Sequence, residues 1–330
     1  MNSISTKKIA FILEPCDTAS HKLLQEIAEV KLGHADARYS EEELIKETQD
    51  VDALLITSRD GVSRKVMEAC KKLKAIVKYG AKPHNVDLQA ATELGIAVSW
   101  TPSSNAVSVA EHALMMIFAL LKRLILTMNA QKEGKWRNVL PHCTELEGKT
   151  VGIIGLGQAG SELAKRLSCF NVEVVGYDPY IAKERAEQLK VKMVSLDELL
   201  RVSDVVTLHC DLNKETEHMI GAQQLRQMKK SAFIVNTARG GLIDTEALIK
   251  ALKEGVIADA AIDVFEEEPT KADNPLFSLE NVIHTPHMAG VTYEALEREP
   301  VWAAEEVVKI LKGEGGKNVL NPEYVKKARS

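Results

Sequence analysis

Strand-like apolar segments in the second half of the chain end, one after another, on residues that can do chemistry. Gly155 to Gly160 follow "TVGII", Asp178 closes "VEVVGYD", and His209 and Cys210 close "DVVTLHC". Thr237, Ala238 and Arg239 follow "SAFIVN", Asp263 and then Glu268 follow "IADAAI", and His287 follows "NVIHTP". Ligands of an open α/β sheet bind beyond the carboxyl ends of its strands, so one edge would gather all of these residues. The set holds one arginine, one well-placed histidine and several carboxylates, with no activated serine and no metal-ligand cluster. Beside a nicotinamide, such groups suit hydride transfer coupled to proton transfer at a hydroxyl or carbonyl.

The segment "GIIGLGQAG" gives the nicotinamide a physical basis. Gly155, Gly157 and Gly160 stand in G-x-G-x-x-G spacing between an apolar strand and the helix-like "QAGSELAKRL". Gly155 permits the tight turn, Gly157 lets the backbone approach a pyrophosphate, and Gly160 lets the helix pack closely. The helix N-terminus offers amides and a dipole to the phosphate charge. Asp178 would accept hydrogen bonds from the adenosine ribose hydroxyls and repel a 2′-phosphate, which favours NAD over NADP. Two alternatives stay open: Asp178 with Pro179 serves only a turn, or the nearby Lys183 and Arg185 meet the phosphate of NADP.

The elements that would hold these groups show as βα alternation. In the first half, "KKIAFIL", "VDALLIT", "LKAIVKYG" and "IAVSW" are strand candidates, and "HKLLQEIAEVK", "RKVMEACKK" and "VDLQAATELG" are helices. Strands without polar alternation are covered on both faces, as in a doubly wound parallel sheet. "TPSSNAVSVAEHALMMIFALLKRL" predicts one long helix capped by Ser103, Ser104 or Asn105, apolar enough to lie at a domain junction or subunit interface. On it, Glu111 and His112 suit packing or a dimer contact rather than chemistry. A second alternation of six strands starts at Lys149, and the helix "TYEALEREPVWAAEEVVKILKG" returns to the first domain. The expected domains are 1–102 with about 291–330, and 103–290.

Bulk properties narrow the function. The chain has 330 residues, which suits two domains of about 150 residues each. A net charge of −5 without a long basic run sets nucleic acid aside as a partner. "MNSISTKKIAFILEP" passes from a polar leader into a strand without an apolar leader core, and "ALMMIFALL" is about half of what a membrane span requires. The expectation is a cytoplasmic protein without a membrane partner. Its five cysteines lack metal-ligand or redox-pair spacing, so idle or buried thiols are expected and no metal.

The motifs "SVAEHAL", "LEGKTVGIIGLGQAG", "LHCDLNKETEHMIG", "FIVNTARGGLIDTEAL", "AIDVFEEEP" and "TPHMAG" resemble those of the D-isomer-specific 2-hydroxyacid dehydrogenase family, in particular its phosphoglycerate dehydrogenase and glyoxylate-hydroxypyruvate reductase-like members. The resemblance runs from about "AIVKYG" to "HMAGVTYEALE". It implies an α/β fold of two Rossmann or flavodoxin-like doubly wound parallel-sheet domains with a cleft between them, NAD as cofactor, and a small D-2-hydroxy acid or 2-oxo acid as substrate. A homodimer is expected. The catalytic arginine of N-x-x-R-G, the glutamate before the proline of D-V-F-x-x-E-P and the histidine of P-H-x-x-G fall on Arg239, Glu268 and His287.

Arg239 would pair bidentately with the 2-oxo acid, and His287 would give its carbonyl oxygen a proton. Glu268 on the other ring nitrogen would fix the tautomer and raise the imidazole pKa. The resemblance also implies that Gln158 and Ala159 meet the pyrophosphate, that Thr237 to Arg239 line the cofactor site, that Asp263 faces the nicotinamide, and that His287 and Gly290 belong to the cofactor set. His209 and Cys210 either touch the cofactor or merely end their strand. A dinucleotide-sensing protein of the corepressor type is the competing reading. A formate dehydrogenase is disfavoured, because that relative replaces the glutamate with glutamine.

Where relatives commonly read "G-x-G-x-D-N-V-D", this chain has "KYGAKPHNVD". That loop would receive the substrate carboxylate, which makes Tyr79, Gly80, Ala81 and Lys82 the expected substrate residues. Pro83 has no amide to donate, and Lys82 carries a side chain where glycine would leave space. Lys82 either reads a second anionic group or points to solvent while Pro83 stiffens the turn.

Overall fold

The computed structural model describes residues 8–13, 19–34, 39–57, 59–80 and 82–329. The chain divides into two compact units, Met1–Asn105 with Val291–Ser330 and Ala106–Gly290. The first unit alternates β1 (Lys8–Ile12), α1 (Ala19–Gln25), β2 (Ala28–Leu32), α2 (Glu41–Thr48), β3 (Ala53–Ile56), α3 (Arg64–Ala69), β4 (Ala75–Lys78), α4 (Leu88–Glu93) and β5 (Ala97–Trp100). Its sheet is parallel with strand order β2-β1-β3-β4-β5. Every residue of β3 and β4 is buried, which accounts for their unbroken apolar runs.

One expected element differs here. "HKLLQEIAEVK" reads as one helix, but the chain turns after Gln25 and "AEVKL" becomes β2. Glu29 and Lys31 conceal a strand that lies at the sheet edge, pairs only with β1 and fully buries only Ala28. Its conformation is set by pairing rather than by composition.

The second unit opens with α5 (Ala106–Leu121) and α6 (Leu124–Lys132), followed by β6 (Thr150–Ile154), α7 (Gln158–Leu167), β7 (Glu173–Tyr177), α8 (Lys183–Gln188) and β8 (Lys192–Met193). It continues through α9 (Leu196–Val202), β9 (Val205–Leu208), α10 (Ala222–Gln227), β10 (Phe233–Asn236), α11 (Thr245–Lys253), β11 (Asp259–Ile262) and β12 (Val282–His284). The sheet is parallel with order β12-β11-β10-β9-β6-β7-β8, so a two-residue edge strand, β8, joins the six that were expected. The expected long helix is α5, which ends where Arg123 takes a left-handed φ of 48°, and an unexpected second helix, α6, follows it. Ala110, Ala113, Met116, Ile117 and Leu120 of α5 pack on Val151, Ile153 and Leu163, so its apolarity belongs to this unit's core. Among the described residues no single helix is long and apolar enough to cross a membrane, and the α5–α6 pair that reaches the length is bent by 55°.

The chain then returns to the first unit as α12 (Tyr293–Lys312), capped by Thr292 and ended by Gly313 at a left-handed φ of 79°. Ala303, Ala304 and Val307 pack on Ala53, Leu55 and Val77. Buried Glu306 accepts from Ser99 Oγ (2.6 Å), Lys317 N (3.0 Å) and Asn318 N (3.1 Å). Asn321 Oδ1 accepts from Val98 N (2.8 Å). A buried carboxylate is tolerated only when its lone pairs are filled, so these bonds bind the tail to β5 in one register.

Candidate active site

The glycine turn has the shape a dinucleotide pyrophosphate needs. Gly155 leaves β6 at φ 88°, and a Cβ there would lie 2.6 Å from Cys210 N and 2.8 Å from the carbonyl carbon of His209. A Cβ on Gly160 would collide with the Gly155 carbonyl oxygen, so the first turn of α7 lies directly on the strand end. Gly157 differs: nothing stands within 4 Å of where its Cβ would be, and no side chain caps the helix it opens. Gln158 is exposed and Ala159 half-buried on that first turn, beside backbone amides that await an acceptor.

Asp178 accepts from Leu156 N (2.8 Å) on Oδ2 and from Tyr180 N (2.9 Å) on Oδ1. It therefore does the turn-forming work expected of "Asp-Pro" and also steadies the glycine loop. A carboxylate has about four acceptor positions, so lone pairs remain for ribose hydroxyls. Two buried polar atoms just past β9 and β10, His209 Nδ1 and Thr237 Oγ1, have no hydrogen-bond partner among the described residues. His209 Nε2 lies 2.9 Å from Thr207 Oγ1, and burial pushes the imidazole pKa down to about 4, so the ring is neutral. Cys210 is pushed up to about 11 by burial and is a packed thiol rather than a nucleophile. Open space at Gly157, free helix-end amides and these two orphaned atoms fit the residues to a dinucleotide.

The three expected catalytic residues come together in the second unit. His287 Nδ1 lies 2.7 Å from Glu268 Oε2, and Glu268 Oε1 accepts from Phe265 N (2.9 Å). The bond to Glu268 raises the His287 pKa above the ordinary imidazole value, against the opposing effect of burial. Burial pushes Glu268 upward, but the bonds from His287 and the Phe265 amide, with the charges of His287 and Arg239, hold it below the usual carboxylate range. Arg239 stands close enough for its charge to act on both partners. Its backbone is fixed at Asn236, whose Nδ2 donates to Arg239 O (2.8 Å) and whose Oδ1 accepts from Ala238 N (3.0 Å). The other glutamates of "EEE" have surface roles: Glu266 accepts from Thr245 and lies near His218, and Glu267 pairs with Lys271.

Asp263 does not face open space. Its carboxylate is fully buried, and its oxygens accept from Thr285 Oγ1 (2.5 Å), Met288 N (2.8 Å) and Ala289 N (2.9 Å). The backbone adds His287 N to Asp263 O (2.8 Å). The residue expected beside the nicotinamide thus sits beneath the loop that carries His287, up to Gly290 at the end of the unit. His112 joins this set from α5, with Nε2 3.1 Å from Thr285 Oγ1, while Glu111 pairs with Arg166 (2.9 Å). The sequence assigned His112 to packing or a dimer contact, whereas here it bonds within its own unit, and Thr285 did not stand out, although a threonine directly before "PH" is the trace this network leaves.

In the first unit, Ala81 lies outside the described residues, and Lys82 is exposed. Tyr79 is buried, and its amide donates to Ile56 O (3.0 Å). Gly80, at φ 68°, donates its amide to Thr101 Oγ1 (2.7 Å), so that donor is committed within the protein rather than held for a carboxylate. Its neighbour is Glu299, whose Oε1 would lie 3.1 Å from a Cβ on Gly80 and accepts from Ser104 Oγ (3.2 Å). The retained Asn-Val-Asp has a structural purpose: Asn85 Nδ2 donates to Thr57 O (2.9 Å), Val86 is buried, and Asp87 caps α4.

Comparisons with known proteins agree with this geometry. Residues 114–289 match the family model described as "D-isomer specific 2-hydroxyacid dehydrogenase, NAD binding domain". The D-3-phosphoglycerate dehydrogenase of Methanocaldococcus jannaschii is 43% identical over 94% of this chain, and the chain spans only 59% of that protein's length. The glyoxylate reductase of Thermofilum pendens is 40% identical over 96% of this chain and 92% of its own. The crystal structure of the TT0316 protein from Thermus thermophilus superposes with a TM-score of 0.86 at 31% identity, over 94% of this chain and 99% of that one. The chain belongs to the D-isomer-specific 2-hydroxyacid dehydrogenase family.

Proposed function

We propose that this chain interconverts a small D-2-hydroxy acid and its 2-oxo acid with NAD, using His287 as acid and base. The observation that carries the reading is the 2.7 Å bond between His287 Nδ1 and Glu268, beside Arg239. A bound nicotinamide supplies the hydride for reduction or takes it in oxidation. Glu268 as a carboxylate accepts, so Nδ1 carries a hydrogen and Nε2 is left to exchange the reaction's proton. During reduction, protonated His287 gives that proton to the carbonyl oxygen, and in oxidation the neutral ring takes it from the hydroxyl. Arg239 offers a guanidinium fork to the carboxylate and the carbonyl, which orients the acid and draws electron density from the reacting carbon. Asp178 supports NAD over NADP, because its lone pairs favour hydroxyls over a 2′-phosphate.

On the first unit's loop, exposed Lys82 is suited to a second anionic group of the substrate, such as a phosphate, sulfonate or carboxylate. A panel of 2-oxo acids with NADH or NADPH, followed as loss of nicotinamide absorbance, tests the whole reading. Turnover with NADH is expected for at least one acid, and Lys82→Ala should weaken dianionic acids more than monoanionic ones. An equal effect on both classes would remove Lys82 from recognition. Silence across the panel with NADH still bound would instead favour a dinucleotide sensor.

The chain is also proposed to form a homodimer. Leu124, Ile125 and Met128 of α6, with Trp136 and Val139 just after it, are 44–63% exposed on one short segment, and such a patch suits a second copy. Sedimentation should show a dimer that Ile125→Glu with Met128→Glu converts to monomer. A wild-type monomer at micromolar concentration would contradict this.

A further inference from the structure

We infer that His112 is a positioning residue for the catalytic loop: through Thr285 and Asp263 it holds His287 where Glu268 can engage it. The inference rests on the reading of His287 as acid and base. Its basis is a chain of hydrogen bonds that leaves little freedom at any link. Thr285 has one hydroxyl proton, and that proton goes to Asp263 Oδ1 at 2.5 Å. The Thr285 hydroxyl oxygen can then only accept from His112 Nε2 at 3.1 Å, which fixes the Nε2–H tautomer of His112. The His112 side chain is only 16% exposed, and its Nε2 also stands 3.6 Å from Asp263 Oδ1. Burial keeps this imidazole below its ordinary pKa, so it acts as a neutral donor.

The loop needs such support. His287 sits at φ 55°, in the left-handed region that non-glycine residues occupy only when their surroundings over-determine it. Asp263 supplies most of that determination, accepting from Met288 N and Ala289 N on its carboxylate and from His287 N on its carbonyl. Thr285 anchors the start of the loop on the same carboxylate, and His112 fixes the Thr285 hydroxyl from a different element, α5. Without that donor the hydroxyl is free to rotate away from Asp263, and the loop loses its first anchor.

The test uses the full chain with 15N-labelled histidine, titrated by NMR without cofactor or substrate, beside steady-state kinetics. The groups whose charge acts on His287 are Glu268, Asp263 and Arg239, and none of them is altered. His112→Ala should move the His287 midpoint down toward the ordinary imidazole value and lower kcat roughly 10- to 100-fold, the scale of a misplaced reacting group. NADH affinity should stay within about twofold, since the glycine turn is untouched. His112→Gln keeps an N–H donor and should recover both quantities. Thr285→Ala against Thr285→Ser repeats the comparison should His112→Ala fail to fold. An unmoved His287 midpoint in both His112→Ala and Thr285→Ala, or a glutamine variant as defective as alanine, would overturn the inference. Wild-type turnover in His287→Ala would overturn the acid and base reading instead, and the titration would still decide the positioning role.

Discussion

His287→Ala should lower turnover by about 10²–10⁴-fold, the usual contribution of a positioned general acid or base, while NADH binds nearly as in the wild type. The side chain is half exposed and makes one hydrogen bond, to Glu268, so its removal takes the proton donor and leaves the core intact. The backbone bond from residue 287 to Asp263 O survives the change. Arg239→Ala should cost a comparable factor, with a larger share in the KM for the 2-oxo acid, because it removes binding as well as polarisation. Fluorescence titration with NADH and kinetics on the same preparations separate the two effects. Turnover at the wild-type rate in either variant would refute the mechanism.

Glu268→Gln has the second-largest expected effect, and its signature lies in pH. Glu268 raises the His287 pKa, so the protonated donor persists to higher pH than a free imidazole would allow. Reduction needs the protonated ring and falls as pH rises through that pKa. In Glu268→Gln the fall should move to lower pH, and the rise of the oxidation reaction with pH should move the same way. Rate at the optimum should drop by roughly tenfold or more, since glutamine holds the ring more weakly. Stability obeys the same linkage. The contribution of His287 is fully present below about 6.5 and is lost as pH rises through its raised folded-state value. That of Glu268 is present above about 4.3 and is lost as pH falls through its depressed one. The pair therefore supports the fold best at mildly acidic pH, and a profile of kcat that does not move in Glu268→Gln would show that the two residues are not coupled.

The glycine turn shows how directly chemistry can be read from order. Gly155, Gly157 and Gly160 occupy in three dimensions the tight turn, the open approach and the close helix contact that their spacing demands. That Arg239, Glu268 and His287 share one edge was also legible, because each follows a strand of a parallel sheet, but their choice from the other strand-end residues is what the family resemblance implies. Asp263 marks the limit of this reasoning. Its place after β11 was plain, but whether its carboxylate points outward or beneath the next loop depends on donors at Thr285, Met288 and Ala289. Gly80 is a similar case, since nothing local signals that its amide is taken by Thr101.

The chain order by itself determined the alternation of elements, the two parallel sheets and the glycine turn. Those properties depend on hydrophobic period, on glycine's conformational freedom and on where a strand ends, all of which are local. Tertiary structure decided that "AEVKL" is an edge strand, that α5 and α6 part at Arg123, that Asp178 also accepts from Leu156 N, and that His112 reaches the loop carrying His287. Several of these depend on partners far apart in sequence, such as β1 with β2, Leu156 with Asp178 and His112 with Thr285, which neither segment alone specifies.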